Sequence, residues 1–158
     1  MTNHLGEAEL KVFIDLSLGY FATVTGTAAQ AHSPRIEFSR PEFSDFTGMV
    51  TLGGIADGCV YLTLGRRLLE DLLRRLGEPD LSTANCLDLA GEITNTIASN
   101  ARGHFGHRLT ISVPSPYQRA AAEQLPLPPT RFVLPLKWNN HPADLVIALR
   151  PDAPAPTA

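Results

Sequence analysis

One long amphipathic stretch, from about Thr83 to His104, dominates the sequence. At roughly 100° per residue in an α-helix, Glu92 lies about 40° from Asp88, and Asn95 lies about 20° to its other side. Ser99 and Arg102 extend this polar stripe. The residues of the opposite, apolar face are Ala90, Ile93, Ile97 and Ala101. The pattern predicts a helix that buries one face and presents a stripe of carboxylates and a carboxamide on the other.

The polar stripe has two interpretations that the spacing leaves open. Polar neighbours at i,i+3 and i,i+4 are common on solvated helix faces. Alternatively, Glu92 and Asn95, one turn apart on a packed helix, form a rigid platform for chemistry. Gly91 costs about 1 kcal/mol of helix propensity relative to Ala. A glycine inside a helix usually has a packing or functional reason.

The run LDLAGEITNTIASNA and the later LTISVPS resemble the CheX branch of the chemotaxis phosphatases, the CheC, CheX and FliY group. The signature of this family is an Asp or Ser, then Glu-x-x-Asn, and a Pro about twenty residues further on. Asp88, Glu92, Asn95 and Pro114 match it. CheC relatives carry the signature on two helices, so the single motif here resembles the CheX arrangement. The resemblance covers nearly the whole chain up to the Pro-rich C-terminal segment.

The resemblance implies an enzyme that hydrolyses the aspartyl phosphate of a CheY-type response regulator. Asn95 is then expected to position the attacking water, and Glu92 to anchor the regulator's active-site Lys. Asp88 and Ser99 are expected to contribute further substrate contacts. No metal or cofactor is expected on this chain, because the regulator supplies Mg²⁺.

Two functions without catalysis are alternatives to the phosphatase. The same helix suits an adaptor that binds a response regulator, and the non-catalytic relatives include scaffolds associated with the flagellar motor switch. The presence of both Glu92 and Asn95 favours the enzyme.

Composition and charge exclude several other classes. A net charge of −3 without a Lys/Arg cluster argues against nucleic-acid binding. Cys59 and Cys86 have no metal or redox spacing, so buried reduced thiols are expected. His104 and His107 have a spacing that two metal ligands could share, but no third ligand lies nearby in the sequence, so a metal site is not expected there. The uncharged stretch from Leu16 to Pro34 is too polar to span a membrane, and acidic and basic residues interrupt any secretory signal, so we expect a cytoplasmic protein.

The order of predicted elements is αβββααβββ, which indicates a two-layer α+β fold with helices on one face of a largely antiparallel sheet. We expect a single domain over residues 1–150 and a disordered Pro/Ala tail over 151–158. Residues Ser115 to Thr130 are predicted to form a loop. The predicted helices are Gly6 to about Val24, Arg66 to Leu76 and about Thr83 to His104. The predicted strands are Arg35–Ser39, Phe46–Leu52, Cys59–Leu64, Leu109–Val113, Arg131–Trp138 and Asp144–Leu149, the last two joined by a turn at residues 139–142.

A homodimer is also expected. Sheet edges present unpaired backbone groups that a second copy can cover. The predicted edge segments are Arg131–Leu136 and Asp144–Leu149, which carry few charges. CheX relatives form dimers through their sheets, and the resemblance extends this expectation here, with the Glu92/Asn95 stripe of each subunit left exposed.

Overall fold

The structure is a computed structural model that describes residues 6–150. Its helices are α1 (Glu7–Thr25), α2 (Arg66–Arg75), α3 (Thr83–Phe105) and α4 (Arg119–Ala122), with a 3₁₀ turn at Gly106–Arg108. Its strands are β1 (Gln30–Ala31), β2 (Arg35–Glu37), β3 (Phe46–Gly54), β4 (Gly58–Leu64), β5 (Leu109–Ile111), β6 (Ser115–Gln118), β7 (Arg131–Trp138) and β8 (His141–Leu149). The tail predicted over 151–158 lies outside the described residues.

The strands described form one antiparallel sheet in the order β1-β7-β8-β4-β3-β5, with β2 also paired to β7 and β6 to β3. Helices α1, α2 and α3 contribute their buried residues to a single core against one face of this sheet. The predicted α+β class with a largely antiparallel sheet is therefore confirmed. Within residues 6–150, no helix combines the length and apolar character needed to span a membrane.

Strand alternation explains where the main core lies. In β4, Val60, Leu62 and Leu64 point to the helices, and they are almost completely buried. Their neighbours Cys59 and Tyr61 point to the other face of the sheet and are also buried. A sheet with one wet face would leave these two side chains in water, so the second face must be covered.

The Pro-rich segment supplies that cover and is not the loop predicted from the sequence. Residues 115–130 begin with strand β6 and helix α4, and their Leu125 and Leu127 pack on the second face of the sheet. Phe43, from the connection before β3, joins them and contacts Tyr61 with ring centroids 5.4 Å apart. Prolines conceal the strand in the sequence. Among the described strands β6 pairs with β3 alone, and such an outer strand tolerates proline.

The expected edge segments are not open edges, and this prediction is wrong. The residues from Asp144 to Leu149 lie in β8, which is interior between β7 and β4. The outer side of β7 is covered by β1 and β2, which pair with it in turn. The short strands β1 and β2, which are distant from β7 in sequence, thus cover the edge that the sequence pattern of β7 predicts to be exposed.

The β7–β8 connection is tighter than predicted. Strand β8 begins at His141, so the turn consists of Asn139 and Asn140, with φ values of 47° and 65°. Two consecutive residues in the left-handed region are typical of a two-residue type I′ hairpin turn, where Asn is favoured. The tight turn adds residues 141–143 to β8, whereas β7 has the predicted bounds.

Candidate functional site

Helix α3 is fixed at both ends by local backbone chemistry. The side chain of Ser82 accepts a hydrogen bond from the backbone N–H of Asn85 at 3.2 Å, which caps the N-terminus. Gly106 ends the helix with a positive φ of 62°, and its N–H donates to the carbonyl of Arg102. Between these caps, the predicted apolar face is buried, including Ala90, Ile93, Ile97 and Ala101.

Helix α3 lies unusually close to strand β3 at Gly48. A Cβ atom added to Gly48 would lie 2.1 Å from Thr94 Oγ1 and 2.4 Å from the carbonyl oxygen of Ala90. Both residues belong to the buried face of α3, and Thr94 Oγ1 donates to Ala90 O at 2.9 Å. The absence of a side chain at Gly48 thus sets the height of α3 above the sheet and, with it, the position of the adjacent Asn95.

A bulge beside β3 brings the signature proline to the helix. Strands β5 and β6 pair with consecutive parts of the same edge of β3. Two residues of β3, Val50 and Thr51, lie between the pairs Leu52–Ile111 and Met49–Ser115, whereas three residues lie between them on the other side. The extra residue makes residues 112–114 a β-bulge, a feature that re-aims side chains and is frequent next to active sites.

The α3 stripe and the bulge together enclose an open depression of about 380 Å³, here called the α3 depression. Its lining residues are Asp88, Gly91, Glu92, Asn95, Val113 and Pro114. All four signature positions therefore border one surface feature. Gly91 forms part of its floor and packs on Pro116 of β6, since a Cβ at Gly91 would lie 3.7 Å from the Pro116 ring. Ser99 is exposed on the same helix but does not line the depression.

The polar side chains of the α3 depression are available to bind a ligand or a partner protein. Asp88, Glu92 and Asn95 are exposed, and within residues 6–150 their side chains have no ion pair or intramolecular hydrogen bond. Burial raises the pKa of the Tyr20 hydroxyl on α1 to about 12, and the Glu92 carboxylate adds to the shift. Tyr20 is thus neutral at physiological pH, and the two carboxylates set a negative potential that suits a cationic group of a ligand.

The metal and redox alternatives find no support in the part of the chain that the structure describes. No group of three or more His, Cys, Asp or Glu side chains there is close enough to hold a metal ion. Cys59 and Cys86 are both buried and unpaired in disulfides, as predicted. Burial raises the pKa of the Cys59 thiol to about 11, so it is a poor nucleophile.

Sequence reasoning misses two elements of this site. Gly48 escapes it because a glycine within an apolar strand gives no indication of which helix crosses it. Val113 is predicted only as the end of a strand, although it lines the depression. The nearest signal is its position directly before the signature Pro114.

Comparison with known proteins places the chain in a family. The model of the family described as chemotaxis phosphatase CheX matches residues 46–137, from β3 to near the end of β7 and including α3. Among proteins with a curated description, none matches the sequence significantly.

Solved structures share the fold over nearly the full chain. The CheX protein of Desulfovibrio desulfuricans has a TM-score of 0.74 at 16% identity, covering 90% of this chain and 99% of its own. A CheC-like superfamily protein from Shewanella sp. PV-4 gives 0.75 at 17%, with 92% and 99% covered. CheX in the CheX–CheY–BeF₃–Mg²⁺ complex of Borrelia burgdorferi gives 0.69 at 14%, with 90% and 97% covered. At these identities the structures show the fold alone, whereas the family model spans more than half of the sequence: this chain belongs to the CheX family of chemotaxis phosphatases.

Proposed function

We propose that this protein hydrolyses the aspartyl phosphate of a CheY-type response regulator, with Asn95 and Glu92 as its catalytic residues. The observation that carries the proposal is the α3 depression, where the exposed Glu92 and Asn95 side chains, which have no hydrogen bond or ion pair within residues 6–150, face open space. Membership of the CheX family supports it. So does the fold that the chain shares with CheX from Borrelia burgdorferi, a protein crystallised with CheY, BeF₃ and Mg²⁺.

Hydrolysis of an acyl phosphate asks little covalent chemistry of the enzyme. Water attacks phosphorus, the bond from phosphorus to the aspartyl oxygen breaks, and the products are a free carboxylate and inorganic phosphate. Catalysis of such a transfer is almost entirely positioning and electrostatics. The carboxamide of Asn95 accepts a hydrogen bond from the water and donates one to the phosphoryl group, and it does not titrate. The regulator's own Mg²⁺ neutralises phosphoryl charge.

Glu92 acts in this proposal as an anchor for the regulator's active-site Lys. Its carboxylate is unpaired within the described chain and stands one turn from Asn95 on a rigid helix. A contact between Glu92 and a Lys would orient the two proteins and form a charge-assisted hydrogen bond. Asp88, on the next turn, adds negative potential at the rim. Ser99 lies outside the depression and is proposed only as a peripheral contact.

The decay of a ³²P-labelled CheY-type regulator, with and without this protein, tests the proposal directly. Acceleration at substoichiometric protein indicates turnover and supports the phosphatase. Binding of the regulator without acceleration would favour the adaptor, and no interaction with any regulator of the source organism would leave the motor-switch scaffold as the alternative to examine.

Changing the charge of Glu92 is expected to weaken the complex with the phosphorylated regulator. Glu92→Ala removes the anchor, and Glu92→Lys adds repulsion from the regulator's Lys, so the loss of affinity should be larger for Glu92→Lys, about 100-fold. Titration of a BeF₃-loaded regulator by isothermal calorimetry measures it. Glu123→Lys is a matched control. Glu123 is exposed, and it lies beside the segment that covers the second face of the sheet, away from the depression. Equal affinities for wild type and Glu92→Lys would rule out the anchoring role.

We also propose that residues 1–150 form one CheX-like domain, that the protein acts in the cytoplasm, and that it assembles as a homodimer through its sheet edges. With β7 and β8 internal, the outer strand β2 is a candidate edge, because Ile36 on the strand and Phe38 directly after it are 63% and 74% exposed. Light scattering over a micromolar concentration series should give the mass of a dimer. Phe38→Lys should shift the measured mass towards that of the monomer. A monomer mass throughout would contradict the assembly.

A further inference from the structure

We propose that Val113, on the bulge between β5 and β6, is an apolar docking residue that the response regulator buries when it covers Asn95. This inference rests on the proposed function and adds to it a residue outside the signature. Val113 is 83% exposed, more than any other large apolar side chain in the described part of the chain. It lines the α3 depression directly beside the acidic and amide groups.

The backbone holds Val113 firmly in this exposed position. The N–H of Thr51 donates to Ser112 Oγ at 2.8 Å, and the N–H of Ser112 donates to the carbonyl of Thr51 at 3.0 Å. Ser112 Oγ in turn donates to the carbonyl of Val113 at 3.1 Å. From the helix side, Arg102 Nη2 donates to the carbonyl of Ile111 at 2.8 Å. An apolar side chain held open in this way is pre-organised for contact and loses little entropy on binding.

The bulge gives Val113 its separate direction. Leu109 and Ile111 of β5 are buried in the main core, and regular pairing would carry β5 on into a continuous strand. The extra residue interrupts the regular pairing. Ser112 keeps one backbone hydrogen bond to Thr51, residues 113 and 114 leave the ladder next to α3, and regular pairing resumes at Ser115. The apolar residues of β5, before the bulge, are therefore buried in the core, whereas Val113 remains on the surface.

The chemistry of the depression identifies the occupant. Acidic groups on one side select a cation, and Asn95 selects a phosphoryl group and its water, while Val113 and Pro114 form an apolar border on the other side. A regulator that docks its phosphorylation site on Asn95 therefore covers Val113 with the surface next to that site. This contact removes water from the border of the reacting group and strengthens the electrostatic interactions inside.

Salt dependence separates this contact from the anchoring role of Glu92. An ion pair at an interface weakens as salt screens it, whereas an apolar contact does not. Val113→Thr keeps the shape and strand preference of the side chain but replaces a methyl by a hydroxyl. We expect Val113→Thr to lower affinity for the BeF₃- and Mg²⁺-loaded regulator about tenfold at both low and high salt. The effect of Glu92→Gln should shrink at high salt.

The experiment is calorimetric titration of that regulator with wild type, Val113→Thr, Val113→Ile, Glu92→Gln and Val24→Thr, with labelled-phosphate decay measured in parallel. Val113→Ile should retain wild-type affinity. Val24→Thr makes the same substitution at an exposed valine of helix α1 that does not line the depression, and it should have no effect. Wild-type affinity in Val113→Thr, with the Glu92→Gln effect present, would overturn the inference and leave the proposed function standing. Binding without accelerated decay would overturn the proposed function, while the affinities still decide the role of Val113. Absence of binding by the wild type would overturn both.

Discussion

Replacing Asn95 by Ala is expected to remove the acceleration of regulator dephosphorylation, by a factor of at least about 100. The carboxamide is the group proposed to hold the attacking water, and alanine offers neither a donor nor an acceptor. The fold should be unchanged because the Asn95 side chain is exposed, makes no hydrogen bond within residues 6–150, and lies on a helix that alanine favours. Decay of the labelled regulator in single turnover measures the loss, and circular dichroism checks the fold.

Asn100→Ala is the matched control for this experiment. Asn100 is an exposed asparagine on the same helix, about 140° around the axis from Asn95, and it does not line the depression. Its rate should equal that of the wild type. A folded Asn95→Ala variant that retained the full rate would disprove the proposed role of this residue.

Replacing Gly48 by Ala is expected to lower the free energy of unfolding by about 3 kcal/mol. The new methyl group would overlap Thr94 Oγ1 and the carbonyl oxygen of Ala90, and the latter belongs to the helix backbone and cannot rotate away. Helix α3 must therefore move from the sheet, and the adjacent Asn95 moves with it. Displacements of about 1 Å at a catalytic group cost up to about 100-fold in rate, so the folded fraction should also lose activity.

Urea denaturation measures this destabilisation, and two variants make the test specific. Gly48→Ala combined with Thr94→Ala should recover only part of the loss, because the Ala90 carbonyl remains in the way. Gly19→Ala places the same methyl group in helix α1 with no atom within 4 Å, and it should stabilise the protein by about 1 kcal/mol. If Gly48→Ala unfolded at the same urea concentration as the wild type, the close approach of α3 to β3 would be wrong.

The sequence by itself determined the three longer helices, α1 to α3, and the long strands, because their periodicity is a local property. The stripe of α3 and its buried face follow from 3.6 residues per turn, and the structure buries Ile93 and Ile97 as expected. The same applies to β3 and β4, whose side chains alternate across the sheet. The α+β class follows from the order of these elements, and helical spacing alone puts Asp88, Glu92 and Asn95 on one stripe.

Only the tertiary structure decided which segments pair and which faces are covered. Strand pairing between distant segments leaves no local periodic signal, so the sequence predicts edges at β7 and β8 although β1, β2 and β4 cover them. Strand β6 is missed because prolines argue against a strand, and the sequence does not show that β6 would pair with β3 on one side, where proline is tolerated. The roles of Gly48 and Val113 depend on residues that are distant in sequence. The missing side chain of Gly48 lets helix α3 approach the sheet, and the one-residue bulge places Val113 beside Asn95.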